Sequence, residues 1–421
     1  MSCHPDKTVP QASQDRTEAQ SIYRFWANPQ VSAKRIMASQ RGAVLGRVNR
    51  SDVVLAVQDT TDLNFGTHRK KTTGLGFFGR TVEQGIKVHS CLAVSGEGEP
   101  LGLLHQHTWS RRQRTGRRKT YKKKPTAQKE SQRWLDTAQA AAIGVNETGT
   151  LVHVGYREAD FYDFLAQSRQ AHHHLLIRAV QNRCVRHELG YLLPTIQQSP
   201  ELSRATLSVQ RRPDRPAYLA QLTLRAMRLT LEVPKQHPQA KQFQPLEINV
   251  LWVQEIDPPT GQKPITWLLL TTLAIELVEA AWQCVRWYSH RWLIERFHFT
   301  LKQGCQIQAL QLSSGTRLTN ALATYSIVAT RILWLTYQAR LQPEQSCECI
   351  LSRAEWRLLR RKFEPKNRSQ KPPTFAQAIR WIARLGGFMG SQSDEPGLKT
   401  IWRGISKLYD LLEGVQLAAK T

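Results

Sequence analysis

The chain has 421 residues, with 59 Lys and Arg against 33 Asp and Glu, for a formal net charge of +26. At about 150 residues per domain this length fits two or three domains, and a 41% hydrophobic fraction with 12 Trp argues against a disordered chain. The charge excess points to a polyanionic partner, nucleic acid first and an anionic membrane second. The longest apolar stretch, Trp267 to Val285, contains Glu276 and Glu279, each costing about 3 kcal/mol at a bilayer centre. It reads as a buried strand running into an amphipathic helix, so no membrane partner is expected. Met1 to Gln20 is polar and lacks the apolar core of a signal peptide. The cysteines at 3, 91, 184, 284, 305, 347 and 349 form no CxxC pair; structural zinc is not expected, and a reducing cytoplasm fits.

In chain order, residues 1–20 read as a frayed lead-in and Ser21 to Val48 as helix, with Ile22, Phe25, Trp26, Val31 and Ile36 in an irregular apolar stripe. Asp52 to Val57 is a short buried strand ending at Gln58-Asp59-Thr60-Thr61-Asp62. Val88 to Val94 and Pro100 to Leu104, joined by Ser95-Gly96-Glu97-Gly98, read as a hairpin. In Arg111 to Lys124, nine of fourteen residues are basic: Arg111, Arg112, Arg114, Arg117, Arg118, Lys119, Lys122, Lys123 and Lys124. Such a block is a solvated loop or a phosphate-contacting segment, and the basic whole favours the second. A helix is expected over Ser131 to Ile143, strands at Leu151 to Val154 and Leu175 to Ala179, and a helix over Phe161 to Arg169. Residues 205–271 alternate between apolar and polar with Pro and Gly interruptions, as a β insertion does. From Ile275 onward the pattern is mainly helical. The order suggests an α/β core with appended parts.

The densest local signal is Tyr288 to Lys302. On one continuous helix, at about 100° per residue, Arg291, Glu295 and Lys302 fall near 300°, 340° and 320° relative to Tyr288. Trp287, Ile294, Phe297 and Leu301 fall on the adjoining core face. Such a stripe presents a phenol, a guanidinium, a carboxylate and an amine to one partner; a salt-bridged surface helix would look the same. Asp59 sits at a strand end, where it is either a turn or cap aspartate or a rigidly held ligand. An Asp and a Glu can jointly hold hard divalent cations through oxygen.

With Val57-Gln-Asp59-Thr-Thr-Asp62-Leu, the Arg157-Glu158-Ala159-Asp160 block and Tyr288, Arg291, Glu295 and Lys302 at the spacing Y-x2-R-x3-E-x6-K, the chain resembles the D-D-E transposases of the insertion-sequence-four family, the Tn-five-like group. Gly74-Leu75-Gly76, Pro100 to Leu104, Cys305 to Leu312, Gly386-Gly387-Phe388 and Thr400 to Gly404 extend the resemblance over nearly the whole chain from Ser21. It implies an α/β fold: a ribonuclease-H-like mixed sheet with a β insertion and a C-terminal helical dimerisation region. The segments would be a helical lead-in at 1–50, the first part of the core at 51–204, the insertion at 205–271, the signature helix at 272–315 and the dimerisation region at 316–421. Asp59 and Glu295 match the catalytic, metal-binding carboxylates, with Mg²⁺ or Mn²⁺ as cofactor. Tyr288, Arg291 and Lys302 match residues that hold transposon-end phosphates. Trp267 lies where the family stabilises a flipped base, a role that needs a π-face, although it also suits a core position. Arg178 lies near a further DNA-contacting arginine.

The implied activity is cut-and-paste DNA transposition on double-stranded transposon ends and target DNA, by a homodimer, in the bacterial cytoplasm at the nucleoid. Two departures are visible. The family's second catalytic aspartate directly precedes Arg157, where this chain has Tyr156, and a neutral phenol is a poor ligand for Mg²⁺. Little precedes Ser21, so the N-terminal domain that reads transposon ends is expected to be missing. The alternative is therefore a catalytically inactive DNA-binding relic that poisons active protomers in mixed dimers; a nuclease of the same superfamily is a third reading. His172-His173-His174 is expected in a loop, and His105 and His107 could share a strand face without a third ligand. Asp62, Asp160 and Asp163 read as caps and salt-bridge partners. No Walker-type loop and no G-x-S-x-G occurs, which argues against nucleotide hydrolysis and serine-esterase chemistry.

Overall fold

The computed structural model describes residues 2–66, 72–77, 83–111, 124–209, 217–391 and 394–419. Two helices lead in, α1 (Arg16–Ala27) and α2 (Ala33–Val48), each started by a side-chain cap, Asp15 and Ser32. Then come β1 (Val53–Asn64), the two-residue β2 (Gly76–Phe77), β3 (Gln84–Ser95) and β4 (Pro100–Trp109). Helix α3 (Gln132–Ala142) precedes β5 (Thr150–Gly155), and α4 (Tyr162–Ala166) precedes β6 (His173–Arg178). After α5 (Leu192–Gln198) the chain makes β7 (Ser203–Val209), β8 (Tyr218–Leu231), β9 (Leu246–Ile256) and β10 (Thr266–Thr271).

The sheet runs β4-β3-β1-β5-β6-β10-β9-β8-β7, with β2 beside the start of β3. β3 pairs antiparallel with β1 and β4, whereas β5 lies parallel to both β1 and β6. That is the strand order of a ribonuclease-H-like core. β10 pairs antiparallel with β6 and β9, so β7 to β10 lengthen the core sheet instead of forming a second one.

β1 decides which residues face which layer, because side chains alternate along a strand. Leu55, Val57 and Leu63 pack with Ile294, Phe297, Leu322 and Tyr325 on one face. Val54 and Ala56 pack with Val44, Val48 and Ala141 on the other. The first face is covered by α6 (Val278–Ser289), α7 (Trp292–Phe299) and α8 (Gly315–Leu341), and the second by α2 and α3. The Trp267 to Val285 stretch resolves into β10 and the first part of α6, and among the described residues no helix is long and apolar enough to cross a membrane.

The C-terminal helices α9 (Arg353–Phe363), α10 (Phe375–Leu385) and α11 (Leu398–Ala418) build a separate apolar cluster with the end of α8. Phe375, Ala378, Ile379 and Ile382 recur at helical spacing on α10 and are all buried. Two glycines allow the close approach of α10 and α11: a Cβ on Gly404 would lie 1.8 Å from the Ile382 carbonyl oxygen, and one on Gly386 1.8 Å from that of Thr400.

Several sequence expectations change. Residues 2–20 are not a frayed lead-in: Val9 is fully buried, Lys7 Nζ donates to Asp410 Oδ1 at 2.7 Å, and Gln306 Nε2 donates to the Asp6 carbonyl at 3.0 Å. The single helix expected over 21–48 is two, broken at Asn28 to Ser32. β1 does not stop at Val57, because β3 pairs with it through Asn64. His173 and His174 lie in β6 and not in a loop.

Candidate active site

Asp59 therefore lies within β1 and is not a turn or cap residue. It follows Gln58, whose register partner on the parallel β5 is Gly155, so Asp59 lies in β1 beside the point where the chain leaves β5 at Tyr156. Gly155 is dictated by the turn above it: a Cβ there would meet Ala159 Cβ at 2.5 Å and Ile177 Cδ1 at 2.9 Å. The 3-10 turn Arg157–Ala159 folds back at once and keeps Tyr156 at the sheet's end.

The stretch from Tyr288 to Lys302 is not one uniform helix. α6 ends at Ser289; the N–H groups of His290, Arg291, Leu293 and Ile294 each reach back only three residues, to Trp287, Tyr288, His290 and Arg291. The chain then enters α7 and closes with a π-helical turn, Thr300–Gly304. An overwound junction is thus followed by an underwound turn, a device common where side chains must be re-aimed. Arg291 Nη2 donates to Glu295 Oε1 at 2.6 Å, and the Arg291 guanidinium lies 6.0 Å from the Tyr288 ring centroid. Lys302, on the π turn, stands within electrostatic reach of Asp59 and Asp62. The four side chains are brought to the Asp59 end by local repitching as well as by helical period.

Electrostatics follow from this placement. Burial pushes the Asp59 carboxyl up to about 6, against the Thr60 backbone N–H, which donates to Oδ1 at 2.8 Å, and against Arg291; Glu295 and Glu158 push it the same way as burial. Burial also raises the Tyr288 phenol and lowers the Lys302 ammonium. It works to lower the Arg291 guanidinium, but Tyr288, Glu295 and Asp59 outweigh it and hold it raised.

The Tyr156 ring is the centre of a cationic cluster. The guanidinium carbons of Arg291, Arg157 and Arg178 lie 4.7, 5.4 and 5.6 Å from its centroid. Each such contact contributes about 0.5–1 kcal/mol where solvent reaches it. Arg178 closes β6 and donates from Nη2 to the Thr266 carbonyl at 2.9 Å. Trp267, half-buried on β10, packs edge-on against Tyr288 with ring centroids 5.1 Å apart.

Asp160 is taken elsewhere. It follows the 3-10 turn, ahead of α4, and its buried carboxylate accepts the backbone N–H groups of Val180 and Gln181 at 2.7 and 2.8 Å and pairs with Arg183 at 2.5 Å. Asp163 pairs with His237 at 2.8 Å, and Asp62 pairs with Lys87. In the basic block, Arg111 pairs with Glu130 and Lys124 is exposed; Arg112, Arg114, Arg117, Arg118, Lys119, Lys122 and Lys123 lie outside the described residues.

Sequence reasoning missed a polar chain beneath Asp59, on the opposite face of β1. Arg133 Nε donates to Thr60 Oγ1 at 3.2 Å, and Thr60 Oγ1 meets His89 Nδ1 at 2.9 Å. His89 Nε2 meets Gln58 Oε1 at 3.2 Å. Gln58 and His89 are fully buried, and burial holds His89 well below the usual histidine range. Buried polar groups must find partners, and these find each other across 29 to 73 residues of sequence. Arg133 also pairs with Glu158 at 2.5 Å. The available signal was polar residues inside otherwise apolar strand runs at positions 58 and 89.

A family model described as the transposase DDE domain matches residues 31–331, and one described as the transposase Tn5 dimerisation domain matches 327–421. The chain belongs to the DDE transposases. Enzymes of this family carry out phosphodiester transfer on DNA and generally use divalent metal ions. The residues here do not complete a metal centre. Asp59 and Glu295 are two oxygen donors, Tyr156 offers a phenol beside them, and among the described residues no group of three or more His, Cys, Asp or Glu side chains could hold an ion. The fold of the transposase core and its dimerisation domain are both present.

Proposed function

We propose that this transposase is of the cut-and-paste type, that it acts on double-stranded transposon ends as a homodimer at the bacterial nucleoid, and that Asp59 and Glu295 are its catalytic carboxylates. Tyr288, Arg291, Lys302, Arg178 and the basic segment 111–124 would position DNA phosphates, with Trp267 beside them as a π-face for an extruded base. The observation that carries this reading is the convergence of Asp59 with the Arg291–Glu295 pair and Lys302 on β1, level with the C-terminal end of β5.

A second reading is favoured by Tyr156, which takes the place beside Asp59 where a further carboxylate would complete the set. On that reading the protein binds DNA and dimerises but cuts poorly, and mixed dimers with an active transposase are inhibited. The two are separated by incubating the DNA ends that flank the gene with the protein and Mg²⁺ or Mn²⁺. The unaltered chain should cut weakly, and Tyr156→Asp should raise the cleavage rate by about 100-fold or more, since each 1.4 kcal/mol of barrier is ten-fold. Robust cleavage by the unaltered chain would show that the phenol is tolerated. Inactivity of both would put the defect outside position 156.

A further inference from the structure

We propose that Tyr156 converts this end of the sheet from a carboxylate centre into a metal-free phosphate site, in which Arg157, Arg178 and Arg291, gathered around the phenol ring, receive a DNA phosphodiester without a divalent cation. The inference rests on the DNA-binding reading above and specifies how that site holds its ligand.

The argument begins with what a guanidinium does on an aromatic ring. Stacking uses the face of the planar cation and leaves its in-plane N–H groups free to form forked hydrogen bonds to phosphate oxygens. Around Tyr156 the three guanidinium carbons lie at 4.7–5.6 Å from one centroid. Arg291 uses one Nη2 on Glu295 and Arg178 one Nη2 on the Thr266 carbonyl, while Arg157 is exposed. Donors on all three guanidinium groups thus remain for a ligand.

Charge balance points the same way. A carboxylate at position 156 would neutralise one of these cations and offer oxygen to a metal. A phenol does neither, yet its ring keeps the arginines assembled. The nearby Glu158 is already paired with Arg133. The cluster is therefore cation-rich and short of metal ligands, the balance expected of a phosphate cradle and not of a site for divalent cations.

Two measurements test this. In calorimetric titrations of the free protein with MnCl₂, the unaltered chain should bind Mn²⁺ at least about ten-fold more weakly than Tyr156→Asp. In fluorescence anisotropy with a labelled short duplex, the unaltered chain and Tyr156→Phe should bind equally in EDTA and in Mg²⁺, within about two-fold. Tyr156→Asp should bind more weakly in EDTA and recover in Mg²⁺. Arg157→Gln should lower the slope of log affinity against log salt by about 1, whereas Arg228→Ala, on β8 and paired with Glu247, should leave it unchanged. Mn²⁺ binding by the unaltered chain as tight as that of Tyr156→Asp overturns the inference whatever the DNA result. Duplex binding that needs Mg²⁺ overturns it too. No duplex binding in either buffer would sink the DNA reading of the site, and the phosphate role with it.

Discussion

The end of the sheet around Tyr156 and the C-terminal helical cluster are held together by opposite means. Around Tyr156, cations outnumber the carboxylates they face, Asp59 is half-buried, and the contacts are polar or cation–π. Between α10 and α11 the contacts are apolar, and the backbones approach so closely that only glycine fits at 386 and 404. A region built on tight apolar packing has few sequences that preserve it. A polar site tolerates exchange of a ligand at little structural cost, because function and stability there pull apart. On the proposed reading, one chain combines a dimerisation domain that meets its packing demands with a phenol at position 156 in place of a carboxylate.

The comparison can be broken by substitution. Gly404→Val forces α10 and α11 apart and should cost more than about 3 kcal/mol, read as a lowered urea midpoint of the C-terminal region; a neutral outcome would mean the helices can separate freely. Asp59→Asn should act in the other direction. Desolvation pushes the half-buried Asp59 carboxyl up to about 6 against 3.8 in an unperturbed chain, so the folded state holds the proton more tightly and charging costs stability as pH rises between those values. The substitution should therefore gain about 3 kcal/mol above pH 7 and nothing below pH 4. Equal gains at both pH values would mean that Asp59 is not desolvated. His89→Ala removes the partner of the buried Gln58 Oε1 and should cost about 2 kcal/mol. Tyr156→Phe keeps the ring for the three arginines and should change stability by less than about 0.5 kcal/mol.

How much was legible depended on whether a residue's neighbours were local. The strands β5 and β6 and the β3–β4 hairpin were readable from apolar runs bounded by turn residues, and the α/β class followed from their order. β1 was read as ending at Val57 because Gln58 to Asn64 is polar; pairing with β3 along its whole length overrides that local signal. The lead-in was misread for the same reason, since Val9, Asp6 and Lys7 find their partners in the core, on α11 and at Gln306, just after the π turn. The spacing singled out Tyr288, Arg291, Glu295 and Lys302, and the structure brings the Arg291–Glu295 pair and Lys302 within reach of Asp59. The three-arginine cluster was not legible, because positions 157, 178 and 291 come together only when β5, β6 and α7 assemble around Tyr156. The junction at His290 and Arg291 and the π turn at Lys302 break the ideal helical period, which no spacing argument could show.

The central claim is that this transposase keeps its DNA-holding cations and lacks one carboxylate. Its most direct test is single-turnover cleavage of the gene's flanking DNA ends, in Mn²⁺, by Tyr156→Asp beside the double variant Tyr156→Asp/Glu295→Gln. The single variant should cut about 100-fold faster than the unaltered chain and the double variant, which would place the restored activity at Glu295 and position 156. Equal cutting by single and double variants, or by the unaltered chain, would contradict it.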